Sequence, residues 1–336
     1  MGVGGSRDFR PETGAGVGKR GVRFGLIGAG RIARNQIGPA IHAAQHATLY
    51  AAASRELARA EALRPERAYD SYAALLSDAN VDAVYVATHN GLHKDLSIAA
   101  LHAGKHVICE KPLAMNARDC EEMLRVAEST GKLLAEAFMY RHHPQIARVQ
   151  ELVRSGAIGE VMAVEASFRF PLTNPHDVRL NAAWGGGALL DVGCYCVSAS
   201  RLFLGDSPVG MKAIGTFHPE TKVDTSVQGV IDYGGGRYAI ISCGFDSGVH
   251  QKVVLCGTSG TIELGHPFKS WTGRPSIAVR TAKGEEVIAF DPVNTFQLEV
   301  DDLAVSISSG RPPLVGAADA LRNMEILDGL AVATRA

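Results

Sequence analysis

A short apolar run, Val22-Arg23-Phe24-Gly25-Leu26-Ile27, leads straight into Gly28-Ala29-Gly30-Arg31-Ile32-Ala33, and a helical pattern follows. This order of strand, GxGxxA turn and helix constrains the fold more than any other stretch of the chain. The glycines permit a tight turn and let the backbone approach a pyrophosphate, while the N-terminus of the next helix stabilises its negative charge. The same spacing also occurs in plain turns, and the strand ahead of it is what favours a dinucleotide. Gly28, Ala29, Gly30, Arg31 and Ile32 are therefore expected to hold a dinucleotide cofactor.

A helix is expected over 32–44, interrupted or begun late at Gly38-Pro39, and a second strand over 48–53. In dinucleotide-binding folds a carboxylate about 20 residues past the glycines binds the ribose 2′-hydroxyl of NAD, whereas an arginine accommodates the 2′-phosphate of NADP. Here the strand ends in Ala53-Ser54-Arg55. Ser54 and Arg55 favour NADP. NAD is the weaker alternative, since Glu56 is close to the strand tip and Ser54 could serve only as a helix cap.

Residues 68–69, 81–87, 106–109 and 133–138 read as further strands, with helices over 72–77, 94–103 and 117–129 between them. Such alternation implies an α/β fold with a Rossmann-type doubly wound parallel sheet, its ligand at the carboxyl ends of the strands. Thr88, Asn90, His93, Glu110 and Lys111 all fall at those ends and share a rim with the glycine turn. Lys111, just before Pro112, stands at the seam between a cofactor half and a substrate half.

Past Tyr140 the pattern changes. A helix over 144–155, a strand over 161–170 and a polar loop over 171–184 precede a helix that starts at Gly185–Gly187 and carries Asp191 and Tyr195. Seven strand-like runs between 209 and 290 imply an α+β domain with a large, mainly antiparallel sheet, closed by helices over 296–308 and 317–333. The expected division is a disordered glycine-rich tail over 1–20, a cofactor domain over 21–140, a substrate and oligomerisation domain over 141–310, and a closing helix within 311–336. Arg169, Phe170, His176, Asp177 and Trp184 are the candidate substrate contacts.

With 34 Lys plus Arg against 35 Asp plus Glu, the chain has no basic field to gather nucleic acid or an anionic membrane. No run of about 18 consecutive apolar residues marks a membrane span, and residues 1–20 lack the apolar core of a signal peptide, so a cytoplasmic location is expected. The six cysteines form no CxxC pair and read as reduced thiols. His89/His93 and His102/His106 have metal-like spacing but no accompanying ligand set, so no metal is expected. Ser198 and Ser200 lack a nucleophile elbow.

Gly28-Ala29-Gly30, Ala53-Ser54-Arg55, Asn90-Gly91-Leu92-His93, Glu110-Lys111-Pro112, Glu136-Ala137-Phe138-Met139-Tyr140-Arg141 and the stretch from Gly185 to Tyr195 occur in one order. Together, from Arg23 onward, they resemble the glucose-fructose oxidoreductase/inositol dehydrogenase (Gfo/Idh/MocA) family. Asp191-Val192-Gly193-Cys194-Tyr195 resembles the branch holding D-xylose and dihydrodiol dehydrogenases, while His89, where proline is common, and Trp184 depart from the family pattern. The resemblance implies an NADP-dependent oxidoreductase that transfers a hydride between nicotinamide and a hydroxyl of a sugar, an aldose such as xylose or glucose. Lys111 and Tyr195 would be the catalytic pair, the tyrosine taking the hydroxyl proton with its phenolate favoured by the lysine charge, and Asp191 orienting the lysine or binding a second hydroxyl. It also implies a cis Lys111-Pro112 bond and a homodimer or homotetramer formed through the open face of the second sheet. Dihydrodiol dehydrogenase or anhydrofructose reductase chemistry is the alternative. A non-catalytic NADP-binding regulator is the alternative of another class, but it has no need of both Lys111 and Tyr195.

Overall fold

Two sheets carry the fold of the computed structural model, which describes residues 21–335. The tail expected over residues 1–20 lies outside the described residues. The first sheet contains β1 (Val22–Ile27), β2 (Ala47–Ala53), β3 (Arg67–Tyr69), β4 (Ala83–Val86), β5 (His106–Glu110) and β6 (Leu134–Ala137) in the order β3-β2-β1-β4-β5-β6. Every pairing in it is parallel. Helices cover its faces, which is why β4 is buried along its whole length and reads as an unbroken apolar run. Strand order reverses between β1 and β4, so the crevice for a ligand opens at their carboxyl ends.

The interruption expected at Gly38-Pro39 takes the form of a widened turn. A π-helical turn, Ala33–Ile37, leads into α1 (Gly38–Ala43), with the Gly38 N–H donating to Ala33 O. Pro39 has no N–H to continue an α ladder, and the wider turn carries the chain past it. Then follow α2 (Leu57–Glu61), α3 (Tyr72–Ser77), α4 (His93–His102), and α5 (Ala117–Thr130), whose N-cap Asn116 accepts from Asp119 N at 2.9 Å.

The second sheet has eight strands: β7 (Val161–Arg169), β8 (Gly210–Phe217), β9 (Asp224–Gly234), β10 (Arg237–Gly244), β11 (His250–Gly257), β12 (Gly260–Gly265), β13 (Ser276–Thr281) and β14 (Gly284–Ala289). Their order is β14-β13-β12-β11-β7-β10-β9-β8, with only β7 and β10 parallel. After α6 (Pro144–Arg154), α7 (Cys194–Leu204) packs across β7 and β10. On the other face Ile214, Val230, Tyr238 and Ile240 are exposed. The segment Ala182–Leu204 is long and apolar enough to cross a membrane by length and composition, but it is mostly buried in this core.

Two late helices tie the sheets together. In α8 (Thr295–Ser309), assigned from sequence to the second domain, Asp301 Oδ1 accepts from Gln45 N and His46 N at 2.8 Å. Helix α9 (Ala317–Ala333) packs on α5, α7 and β8, and just before it Val315 O accepts from Glu136 N on β6 at 3.0 Å. The described cysteines are all free, and all but Cys256 are buried.

Candidate active site

The glycine turn has the shape a pyrophosphate needs. Gly28 has φ 98°, and a Cβ there would lie 2.6 Å from Ala87 O, so backbone conformation and close approach both demand glycine. A Cβ on Gly30 would meet nothing within 4 Å, which leaves an open cradle. Ala29 is buried beneath it, and Arg31 and Ile32 are exposed on its rim. At the tip of β2, Ser54 is buried and its Oγ accepts from Glu56 N at 3.4 Å. Glu56, the carboxylate that could have served a ribose, binds Arg59 at 2.9 Å, whereas Arg55 is exposed and has no ion pair among the described residues. Burial, and after it the charge of Arg55, hold His89 below its ordinary range, so the guanidinium is close to this rim. An open cradle and a free arginine fit NADP.

The loop after β4 closes the two halves on each other. Asn90, an expected cofactor residue, donates from Nδ2 to Gly185 O at 2.7 Å and so ties this loop to the second domain. His89 stacks on Trp184 with centroids 4.9 Å apart and planes at 20°, and Thr88 Oγ1 turns to His89 O at 3.4 Å. His93, an expected cofactor contact, is 0% exposed, with Nδ1 2.8 Å from Pro112 O and Nε2 3.2 Å from Thr88 O, so both ring nitrogens face backbone carbonyls. Burial pulls it down to about 4, so the ring is neutral and donates once, to the nearer carbonyl. Its place is to fix the turn after Lys111.

That turn is cis at Lys111-Pro112, and beyond it Leu113 N donates to the buried carboxyl of Glu136 at 2.8 Å. Lys111 Nζ reaches the opposite domain, donating to Asp191 O at 2.6 Å and to Asp191 Oδ1 at 2.9 Å. Asp191 lies in a π-helical turn, Leu189–Gly193, rather than in the α-helix expected there; its displaced ladder lets the carbonyl face the lysine. Asp191 Oδ2 accepts from Arg179 Nε at 2.6 Å, and Arg179 Nη1 lies 3.2 Å from Asp177 Oδ1. Burial alone would neutralise these groups. The Lys111 and Arg179 charges override it at Asp191 and hold that carboxyl well below its usual range, and Asp191 in return raises Lys111. Lys111 is therefore an ammonium with two of its three donors placed.

Tyr195 meets Lys111 differently from expectation. The ammonium lies 5.1 Å from the centre of the Tyr195 ring, and the hydroxyl donates to Met139 Sδ at 3.4 Å. Phe138, Tyr140, Phe168 and Phe268 surround the ring at 5.1 to 5.7 Å. Burial pushes the phenol well above 10, and neighbouring Cys194 and carboxylates add to it. The phenol is raised where Lys111 was expected to lower it, because burial and the neighbouring carboxylates outweigh the ammonium beside the ring. Behind the lysine, Tyr85 O–H faces Glu110 Oε1 at 3.1 Å and Glu299 Oε1 at 3.0 Å. One phenol proton serves one acceptor, and the phenol oxygen can accept from the other carboxyl when that carboxyl is protonated; burial raises both carboxyls, Glu299 strongly.

The substrate candidates divide. Arg169 is withdrawn from the cleft: its guanidinium binds Ser247, Ser242 and Ser226 hydroxyls at 2.9 Å and also Asp246. Its donors are taken by these neighbours, so Arg169, expected as a substrate contact, is bonded as framework at the strand end. His176 is exposed, its backbone N–H on Asn174 Oδ1 at 3.0 Å, and its ring makes no hydrogen bond among the described residues. Phe170 and Asp177 do join that cluster through Arg179, whose Cζ is 5.7 Å from the Phe170 ring. Trp184, 42% exposed, walls the cleft through His89. Arg179 and Lys269 were not legible in sequence as site residues: one is an arginine in a polar loop, the other a lysine some 80 residues beyond Asp191 in an irregular segment. Among the described residues no three His, Cys, Asp or Glu side chains gather as metal ligands.

Residues 22–138 match the GFO/IDH/MocA oxidoreductase family, NAD-binding Rossmann fold, and residues 146–263 match the GFO/IDH/MocA C-terminal domain. The chain belongs to this family. Within it, a D-xylose 1-dehydrogenase (NADP(+)) of Haloferax volcanii is 37% identical over 92% of this chain and 96% of its own. A trans-1,2-dihydrobenzene-1,2-diol dehydrogenase of Xenopus laevis is 34% identical over 75% of this chain and 77% of its own. A 3-ketoreductase of Actinomadura kijaniata, solved with NADP and TDP-benzene, superposes with a TM-score of 0.88 at 31% identity, covering 94% of this chain and 98% of its own. These members place the motifs described above in a family of dehydrogenases and reductases.

Proposed function

We propose that this protein is an NADP-dependent oxidoreductase that moves a hydride between nicotinamide and the carbon of a sugar hydroxyl, an aldose being the first choice. The observation that carries this reading is the junction of Lys111 with Asp191 and with the Tyr195 ring, at the rim shared with the open glycine cradle. Relatives support it, since the H. volcanii enzyme is an NADP xylose dehydrogenase and the ketoreductase is seen with NADP. That ketoreductase was also solved with a lysine replaced by alanine and a tyrosine by phenylalanine. The two altered residues stand as far apart in its chain as Lys111 and Tyr195 do here.

Gly28, Ala29, Gly30, Arg31 and Ile32 hold the pyrophosphate, Ser54 and Arg55 the 2′-phosphate, and Thr88 and Glu110 border the nicotinamide half. NADP, when bound, supplies the hydride acceptor. Lys111 gives its remaining N–H to the substrate oxygen and stabilises the negative charge that develops there, while Asp191 keeps it charged and aimed. Tyr195 exchanges the proton of that oxygen. The neutral phenol is its resting form, ready to protonate a carbonyl oxygen in reduction; oxidation requires the phenolate and gains rate as pH rises. Exposed Ile214, Val230, Tyr238 and Ile240 on the open sheet face fit a homodimer or homotetramer contact, and a cytoplasmic setting suits free thiols.

The test is NADPH absorbance with pentoses, hexoses, inositols and dihydrodiols. Turnover of an aldose supports the reading, and turnover of the diol alone moves the substrate to the second branch. NADP binding without turnover of any of them leaves the regulator.

A further inference from the structure

Among the described residues, Lys269 is the one cation of the cleft that neither the sequence nor the proton chemistry accounts for. Its Nζ lies 5.5 Å from the centre of the Phe168 ring and 5.5 Å from that of Phe170. Phe168 packs on Tyr195 at 5.4 Å, whose face holds Lys111, while Phe170 carries Arg179, which returns to Asp191. These contacts close a circuit: a floor of aromatic rings with Lys111, Arg179 and Lys269 around it. The carboxylates in the circuit are Asp191 and Asp177, and both are bound to Lys111 or Arg179. Two cations meet two anions, and Lys269 is left over with no ion pair or side-chain hydrogen bond among the described residues.

The backbone of Lys269 is built to hold it there. Gln251 Oε1 accepts from both Phe268 N and Lys269 N, at 3.0 and 2.8 Å, and Lys269 O accepts from Thr272 Oγ1 at 2.8 Å. Phe268 beside it is fully buried and stacked on Phe168 at 5.3 Å. A half-buried ammonium resting on ring faces gains cation–π attraction, but ring faces leave its N–H donors without oxygen acceptors. Burial pulls the ammonium below the ordinary lysine range, the cost an incoming anion would relieve.

We infer that Lys269 binds an anionic group, a carboxylate or a phosphate, on the sugar that this site turns over, so that the preferred substrate is an acidic sugar rather than a neutral aldose. This rests on the proposed sugar oxidoreductase activity and names its substrate class. The anionic oxygens would meet the ammonium from the side turned away from the Phe168 and Phe170 rings, whose negative faces attract the cation and repel an anion.

The test compares a neutral aldose, the matching uronic acid and the matching sugar phosphate in the wild type, Lys269→Met and Lys269→Arg, with NADPH binding followed by fluorescence. The expected result is a wild-type kcat/KM at least about 10-fold higher for one of the acidic sugars, a loss of about 10-fold or more of that advantage in Lys269→Met through KM, and its retention in Lys269→Arg. Whichever acidic sugar gains identifies carboxylate or phosphate. Equal or better use of the neutral aldose overturns the inference and leaves the oxidoreductase intact, and so does a weakened NADPH complex in Lys269→Met with unchanged substrate preference, which would assign the lysine to the cofactor. If none of the sugars is turned over, both the inference and the activity beneath it fail.

Discussion

Asp191→Asn removes the one anion that Lys111 and Arg179 share. In the native site its carboxylate accepts at 2.9 Å from the lysine and at 2.6 Å from the arginine, and all three side chains are less than a third exposed. Asparagine offers an oxygen to one cation and turns an NH2 toward the other, so one buried charge loses its partner. Removing a partner from a fully buried pair costs roughly 3–5 kcal/mol; these side chains are partly exposed at the cleft mouth, where water lowers the cost below that range, to about 2–3 kcal/mol. At roughly 2 °C per kcal/mol for a chain of this size, Tm should drop by about 4–6 °C. Lys111, no longer held as an ammonium against its burial, should lose transition-state stabilisation worth about 100-fold in kcat. The pH dependence carries the sign. A carboxyl held below its unfolded value stabilises the fold above about pH 4 and loses that contribution as pH falls toward its folded value, at about 1.4 kcal/mol per unit. Urea unfolding at pH 7 and pH 3 should therefore show the gap between wild type and variant narrowing in acid. A gap that stays constant or widens, or a variant with native kcat, would refute the account of Asp191 as the anchor of Lys111.

Tyr195→Phe keeps the ring contacts and removes a weak O–H to sulfur bond, so kcat should fall at least about 100-fold with Tm and NADP affinity little changed; near-native turnover would move proton exchange to another group. In the wild type, kcat/KM for oxidation should climb with pH through pH 9 without levelling, because the phenol is pushed above 10, and a plateau below pH 8 would contradict this. Arg55→Ala should weaken NADP binding by roughly 10- to 100-fold while leaving NAD binding alone, and an unchanged NADP dissociation constant in titration calorimetry would remove Arg55 from the 2′-phosphate. Glu299→Gln should stabilise the protein increasingly as pH rises above about 4.3, since a buried carboxyl raised in the fold loses relative stability there by up to about 1.4 kcal/mol per unit; denaturation midpoints that respond equally to pH in both proteins would show that Glu299 is not held protonated.

Much of the first domain was legible because its signals are local. The GxGxxA turn needs φ above zero at Gly28, where a Cβ would also strike Ala87 O, while Gly30 leaves the cradle open; the parallel sheet follows from apolar runs alternating with helical ones. The positions of Ser54-Arg55 at the tip of one strand and of Lys111 at the tip of another were legible in the same way, from where the apolar runs end. The helix breaks were half legible: Pro39 announced an interruption, but whether the chain would stop or widen into a π turn depended on what packed around it.

The chemistry of the site was decided by the tertiary structure. Asp191 and Tyr195 are close in sequence, yet what each does depends on Lys111, brought from the other domain to the carboxylate of one and the ring face of the other. Burial among aromatic rings, which no local pattern states, raises the phenol that the lysine was expected to lower. His93 and Arg169 had the right residue types for ligand contact and were consumed by backbone carbonyls and serine hydroxyls. Arg179 and Lys269 had no signature at all. A sequence fixes dihedral preferences and periodicity over a few neighbours, whereas the charge state and exposure of a side chain are set by groups that only folding brings within a few ångströms.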